Sequence, residues 1–227
     1  MSHAQLLFVG TYTEPILFGT GKILQGKGEG IYVYAFDPDA MSLRPVSLAK
    51  GIRNPSYLCF SKDGSFVYAV NELKEYQGGK SGSISAFSFD RGTGALKFLN
   101  SRPTRGTDPC HVALDNTGKF AAVSNFMSGS VIVYKIREDG SLGDEASYMQ
   151  HRGSSVNAVR QAGPHAHSSI FSPDNGFMYV PDLGLDRVVA YAFDQGTGAL
   201  EERGSRAMTA EPGAGPQIGR ASCRERV

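Results

Sequence analysis

Histidines in two similar segments are the residues of this chain best suited to chemistry. His165 and His167 flank one alanine in residues 164–168, and His111 lies in an earlier segment of related sequence. The imidazole group titrates close to neutral pH, so such a side chain can act as an acid or a base with little tuning. For His111 the alternative is a strand histidine that is half buried and hydrogen-bonded to neighbouring backbone.

The two neighbouring histidines raise the question of a metal site. Residues two apart in a strand point the same way, and histidines are common zinc ligands. No HExxH motif, carboxylate cluster or cysteine partner accompanies the pair, so we predict neither a metal nor another cofactor. Asp186, which follows in residues 182–187, is a candidate second carboxylate for the site, with a turn cap as the alternative.

The elements that must position these residues belong to a repeat. One sequence recurs in residues 54–71, 108–125 and 164–182, with spacings of 54 and then 57 residues between the aromatic anchors of the copies. A period of this size is typical of solenoids, propellers and arrays. A solenoid is the alternative here, but its repeats are usually shorter and lack two hairpins each.

Equivalent slots in the copies can be compared directly. Ser56, Cys110 and His167 stand at one equivalent position, or slot, in the three copies of the repeat. The first strand of a propeller blade lines the central channel, so we expect these three side chains to face a shared axis. A second slot holds Asn71, Asn125 and Asp182, and because it is polar in every copy we expect hydrogen bonds within turns or between blades there.

Each copy carries four short strand signals bounded by Gly, Asp, Asn or Pro. The predicted strands are residues 6–12, 31–36, 43–48, 56–60, 66–71, 83–89, 96–101, 111–114, 120–125, 130–136, 145–149, 168–171, 177–181, 187–193 and 200–203. No segment has sustained helical periodicity. The sequence therefore predicts an all-β fold, a β-propeller of four-stranded blades.

Two kinds of connection stand out between the predicted strands. Residues 90–96 and 194–200 differ at one position, and we expect their acidic residue to hydrogen-bond the turn backbone and their second glycine to adopt a positive φ. Residues 13–30 and 151–163 form longer loops that are polar and rich in glycine. Such loops on a rigid scaffold often hold substrate, with plain surface insertions as the alternative.

Composition and missing motifs exclude several functional classes. The 227 residues are 41% hydrophobic and 20% charged, and the net charge of +1 gives no electrostatic case for nucleic acid or a membrane. No apolar run reaches the roughly 18 residues of a spanning helix, and the first residues lack a signal-peptide pattern, so we predict the cytoplasm. GxSxG, P-loop and strand-to-helix GxGxxG motifs are absent.

The chain resembles the lactonase family of seven-bladed β-propellers, which includes propeller-type 6-phosphogluconolactonases and is related to fungal carboxy-muconate cyclising enzymes. The matching strings lie in family order at residues 8–13, 30–34, 54–57, 109–112, 154–157, 164–168 and 181–188. Together they are specific for the fold and family and less so for the substrate. The resemblance implies that about four of seven blades are present.

The resemblance implies hydrolysis of a sugar lactone, with 6-phosphoglucono-δ-lactone of the pentose phosphate route as the expected substrate. His167 would act as general base on water or general acid on the leaving oxygen, and His111, His165 and Asp186 would bind substrate. The complete protein is expected to be a monomer that needs no metal. A non-catalytic binding propeller and a lactonising isomerase of the carboxy-muconate type are the alternatives.

The end of the chain departs from the family pattern. In the related cyclising enzymes, the histidine matching His167 acts with an arginine and a glutamate from the next blade, which opens with Gly-Pro-Arg-His. Residues 213–216 begin such a blade, whereas residues 218–227 correspond to one reading frame of a common sequencing adapter. We therefore expect residues 1–216 to be a partial propeller domain, residues 217–227 to be a non-native tail, and the fragment itself to be inactive.

Overall fold

The chain folds into a series of antiparallel β-sheets. The computed structural model describes residues 5–17 and 21–217. The strands are β1 (Gln5–Val9), β2 (Ile16–Leu17), β3 (Ile23–Leu24), β4 (Gly30–Asp37), β5 (Ser42–Lys50), β6 (Pro55–Phe60), β7 (Phe66–Asn71), β8 (Ser83–Asp90), β9 (Ala95–Pro103), β10 (Pro109–Leu114), β11 (Phe120–Asn125), β12 (Ser130–Ile136), β13 (Leu142–Gln150), β14 (Ile170–Phe171), β15 (Phe177–Asp182), β16 (Arg187–Phe193), β17 (Leu200–Glu202) and β18 (Met208–Thr209). Two three-residue 3-10 helices, Leu183–Leu185 and Gly204–Arg206, are the helical elements of these ranges.

Four sheets follow one another along the chain. The first has the order β1-β4-β5, the second β6-β7-β8-β9, the third β10-β11-β12-β13, and the fourth β14-β15-β16-β17 with β18 also paired to β16. β2 and β3 form a separate hairpin within the loop between β1 and β4. Across the described ranges the first and fourth sheets do not pair with each other, so the series is open. No helix of these ranges is long and apolar enough to cross a membrane.

The predicted strands are confirmed with small shifts at their ends. Three strands that the sequence did not indicate are present, and all are two residues long: β2, β3 and β18. β14 is shorter than predicted, because Ser168 and Ser169 leave the ladder and use their hydroxyls elsewhere. Ser168 Oγ donates to the carbonyl of Gln217, and Ser169 Oγ lies 2.7 Å from Ser124 Oγ on β11. Residues 218–227 of the predicted tail lie outside the described residues.

The hydrophobic core lies between consecutive sheets. On β7, Val67 and Ala69 pack with Ile31 of the first sheet, whereas Tyr68 and Val70 pack with the third sheet. The third and fourth sheets enclose a further cluster that includes Phe120 of β11, Met178 of β15 and Tyr191 of β16. Because a strand alternates its side chains between its two faces, a central strand in such a stack is apolar at almost every position.

The hairpin glycines of the outer strands lie against the preceding sheet. Gly94, Gly140 and Gly198 all have φ between 73° and 79°. A methyl group built on Gly198 would lie 2.4 Å from Cε1 of Phe120 in the third sheet. The expected turn chemistry is also present, since one oxygen of Asp194 accepts the backbone N–H groups of Gly196 and Thr197. These turns therefore require glycine for two reasons, backbone conformation and contact between sheets.

Replacement of Gly198 by alanine is expected to destabilise the fold through both effects. The positive φ costs about 1–2 kcal/mol for a residue with a Cβ, and displacement of the buried Phe120 ring adds about 1–3 kcal/mol. Gly118→Ala is the matched control, since Gly118 has a φ of 72° and open space around its Cβ position. Urea unfolding should show the larger loss for Gly198→Ala, and equal losses would contradict the proposed contact.

Candidate active site

Irregularities in the first strands of the sheets direct side chains into one cavity. The pairing of β6 with β7 skips Ser56, and the pairing of β10 with β11 skips Cys110. Such a bulge turns the unpaired residue away from the regular face of the sheet. In the fourth sheet Ala166 bridges Asp182, and His167 follows directly. Ser56, Cys110 and His167 all line a cavity of about 500 Å³, as expected from their shared slot in the repeats.

The cavity combines basic, acidic and apolar side chains. Its other lining residues are Tyr12, Leu17, Glu72, Asp108, Phe126, Met127 and Arg160. Its volume is in the range that holds a small organic ligand. Tyr12 and Leu17 come from the chain before β3, and Arg160 comes from the loop of residues 151–163. Both loops singled out in the sequence therefore contribute to the cavity.

His167 is held in the neutral state. Burial lowers the pKa of His167, and the positive charge of the nearby Arg160 lowers it further. The backbone N–H of His167 donates to the carbonyl of Pro181 at 3.0 Å, and its ring meets the edge of Phe126 with centroids 5.5 Å apart. A fixed, neutral imidazole at a cavity wall is suited to accept a proton.

His111 is not among the residues that line the cavity. Its ring contacts the ring of Tyr57 at 4.5 Å, and its Nδ1 accepts the backbone N–H of Ser169 at 3.3 Å. Burial, with a smaller contribution from His167, lowers the pKa of His111 to about 4. The side chain is therefore neutral at pH 7 with its proton on Nε2. These contacts match the alternative of a half-buried strand histidine bonded to neighbouring backbone.

His165 supports the cavity from outside. Its ring stacks on Phe126 with centroids 4.6 Å apart, and its Nδ1 donates to the Phe126 carbonyl at 3.0 Å. Its own backbone N–H donates to Oδ1 of Asp182 at 2.7 Å. Since Phe126 is part of the lining, His165 fixes one wall from behind.

Asp186 is brought to a different place from the three histidines. Its carboxylate is buried and accepts four hydrogen bonds, from Ser155 Oγ, Gln161 Nε2 and the backbone N–H groups of Gly213 and Gly215. Its φ of 50° places it at the left-handed end of a 3-10 helix. The Ser155 hydroxyl and the other donors lower the pKa of Asp186 to about 2. Through Gln161, this carboxylate holds the loop that carries Arg160.

Two carboxylates that line the cavity, those of Glu72 and Asp108, were not predicted from the sequence. Burial raises the pKa of Glu72, whose Oε2 accepts the hydroxyl of Tyr12 at 2.9 Å. Burial also raises the pKa of Asp108 to about 6. Asp108 starts the second copy of the repeat, at the slot of Asn54 in the first copy. The sequence did contain a signal for Asp108, because an acid stands there at the position that an amide, Asn54, occupies in the first copy.

Cys110 is not a nucleophile in this arrangement. Burial raises the pKa of the Cys110 thiol, so the group stays protonated near neutral pH. Its Sγ donates to the carbonyl of His167 at 3.2 Å. Within residues 5–17 and 21–217, no group of three or more His, Cys, Asp or Glu side chains is placed to hold a metal ion.

The family is decided by comparison with known proteins. The model of a family described as "Lactonase, 7-bladed beta-propeller" matches residues 6–219. The chain belongs to the lactonase family. A 6-phosphogluconolactonase of Bacillus subtilis is 34% identical over 210 residues, which cover 92% of this chain and 54% of the relative.

Solved structures of similar sequence share the fold. A crystal structure from Bacteroides fragilis matches with a TM-score of 0.82 at 33% identity and covers 94% of this chain and 56% of that one. The periplasmic gluconolactonase PpgL of Pseudomonas aeruginosa matches with a TM-score of 0.81 at 33% identity, with 94% and 57% covered. The chain therefore spans about half the length of these lactonase relatives.

Removal of the Asp186 charge is expected to loosen the loop that carries Arg160. In Asp186→Asn the side chain keeps its shape, but one of its two acceptor atoms becomes a donor that faces existing donors. Trypsin should then cleave after Arg152 and Arg160 several-fold faster than in the unchanged chain. Asp63→Asn is the control, because Asp63 caps a turn of the second sheet and contacts neither loop. Unchanged cleavage at both arginines would contradict the anchoring role.

Proposed function

We propose that the full-length protein to which these residues belong hydrolyses a sugar lactone, and specifically 6-phosphoglucono-δ-lactone to 6-phosphogluconate. The observation that carries the proposal is a single cavity in which the neutral imidazole of His167 lies near the cation of Arg160. The named activity of the Bacillus subtilis relative gives the substrate class. Because the chain spans half of that relative, the proposal concerns the whole protein.

The proposed reaction uses His167 as general base. His167 removes a proton from water as the water oxygen attacks the lactone carbonyl carbon. The bond between that carbon and the ring oxygen then breaks, and the protonated His167 gives its proton to the ring oxygen, which becomes a hydroxyl group. The guanidinium of Arg160 binds the phosphate group, for which its fork of donors is well suited.

The proposal extends to the architecture and setting of the protein. We take the four sheets as blades of the family's seven-bladed propeller, with the cavity at the ends of their first strands. Residues 1–216 would then form a partial propeller domain with about four blades, followed by a non-native tail at residues 217–227. A monomeric cytoplasmic enzyme remains the prediction from the sequence, and one solved relative is named as periplasmic.

Loss of the imidazole is expected to abolish most of the catalysis. In the full-length protein, His167→Gln should lower kcat for 6-phosphoglucono-δ-lactone by about 10²–10⁴-fold, the usual contribution of general base catalysis. Hydrolysis is followed by proton release against the spontaneous rate, with circular dichroism to check folding. A variant as fast as wild type would refute the role of His167. A wild-type protein no faster than the spontaneous rate would favour a non-catalytic binding propeller.

Replacement of Arg160 should change both binding and pH dependence. The positive charge of Arg160 lowers the pKa of His167, so Arg160→Met should raise that pKa and move the acidic limb of kcat/KM to higher pH. Loss of the phosphate contact should raise KM for the phosphorylated lactone by about tenfold or more, but not for glucono-δ-lactone. Arg152→Met, at an exposed position of the same loop, is the control. An acidic limb that stays in place would contradict the coupling.

A further inference from the structure

We propose that Asp108, with Glu72 beside it, forms a subsite that binds the hydroxyl groups of the substrate and selects polyhydroxylated lactones over plain ones. The inference rests on the proposed function, because it places the substrate in the cavity that Arg160 and His167 also line. It adds an orientation: the hydroxyl-bearing carbons face the two carboxylates, and the anionic group faces the arginine.

Asp108 occupies a backbone position that recurs in each copy of the repeat. In each of the three copies, the carbonyl at this position accepts a hydrogen bond from the backbone N–H of the residue just after the second strand. The accepting carbonyls are those of Asn54, Asp108 and His165, and their donors are Glu72 at 3.0 Å, Phe126 at 2.9 Å and Leu183 at 3.0 Å, respectively. Asn54 and Asp108 also share a positive φ, of 39° and 53°. The backbone at this slot therefore performs the same structural task in every copy.

In the other two copies, the side chain at this position makes hydrogen bonds within the protein. Oδ1 of Asn54 accepts the backbone N–H groups of Thr13 and Glu14, both at 2.9 Å, and its Nδ2 donates to the carbonyl of Glu72. His165 donates to the carbonyl of Phe126 and stacks on its ring. In both copies the side chain thus secures local structure.

The side chain of Asp108 interacts with Thr107, but one of its oxygens has no such task. The residue is only 4% exposed and lines the cavity, yet its Oδ2 is buried with no hydrogen-bond partner in the part of the chain that the structure describes. A buried acceptor left unpaired is unfavourable, and native proteins rarely keep one without a reason. Because the residue itself lines a ligand-sized cavity, a donor that arrives with a ligand would pair this acceptor.

The neighbourhood of Asp108 selects a neutral donor. Burial raises the pKa of Asp108. The charge of the exposed Lys74 lowers this pKa and the charge of Glu72 raises it, and the net shift is upward. A phosphate or carboxylate placed there would face two acidic groups, whereas a hydroxyl group donates a hydrogen bond without adding charge. Arg160 supplies the matching cation for the anionic end of the ligand.

The test compares two lactones in the full-length protein. Glucono-δ-lactone carries the ring hydroxyls and δ-valerolactone lacks them. Asp108→Asn should lower kcat/KM for glucono-δ-lactone by about tenfold, the effect of losing a charged hydrogen bond, and change δ-valerolactone hydrolysis by less than about twofold. Asn54 shows that asparagine fits this backbone slot. Asp144→Asn, an exposed change of the same kind on β13, is the control and should alter neither rate.

A binding measurement separates this inference from the proposed function. Calorimetry with D-gluconate and with 5-hydroxypentanoate needs no catalysis, and Asp108→Asn should weaken only the gluconate. If wild type hydrolyses no lactone but this difference appears, the proposed function fails and the subsite stands. An equal loss for both compounds, or no loss for gluconate, overturns the subsite. If Asp108→Asn does not fold, Glu72→Gln tests the same wall by the same criteria.

Discussion

Apolar contact across both faces of each central strand holds consecutive sheets of this chain together. Tyr68 of β7 packs toward the third sheet and Val67 toward the first, and both are almost fully buried. Burial of such surface, at about 25 cal/mol per Å², is the main favourable contribution to folding. A slip of β7 by one residue would exchange its two faces and place every side chain against the wrong sheet. The register is therefore fixed, and so are the ends of the first strands.

Within that register, the bulges of the first strands separate the site from the core. The ladder skips Ser56 in one sheet and Cys110 in the next, so both side chains leave the packed faces and reach the cavity. The backbone repeats from sheet to sheet, which leaves residue type as the main variable. A hydroxyl, a thiol and the imidazole of His167 then give one cavity three chemistries without a change of fold. The position shared by Asn54 and Asp108 varies in the same way, between an amide that secures a loop and a carboxylate with one unpaired oxygen.

The contrast between a repeated backbone and variable side chains also explains what could be predicted from the sequence. Strands β7, β11, β12 and β16 match their predicted ends because alternating burial and turn residues act locally. His167 and its slot followed from comparison of the repeats. Arg160 was not predicted, because the path of its loop depends on distant hydrogen bonds such as that from Gln161 to Asp186. The environment of Asp186 was likewise hidden, since only the folded chain brings Gly213 and Gly215 to its carboxylate.

The unpaired oxygen of Asp108 shows why such a site needs this scaffold. A side chain with an unfavourable environment turns away if its backbone can move. Here the backbone N–H of Asp108 donates to Leu73 and its carbonyl accepts from Phe126, each at 2.9 Å, so the residue is fixed on both sides. Those two bonds connect it to the segments after β7 and β11, whose registers are set by burial in the core. The apolar stack thereby maintains a polar group that is unfavourable without a ligand, and the cavity stays arranged before a ligand enters.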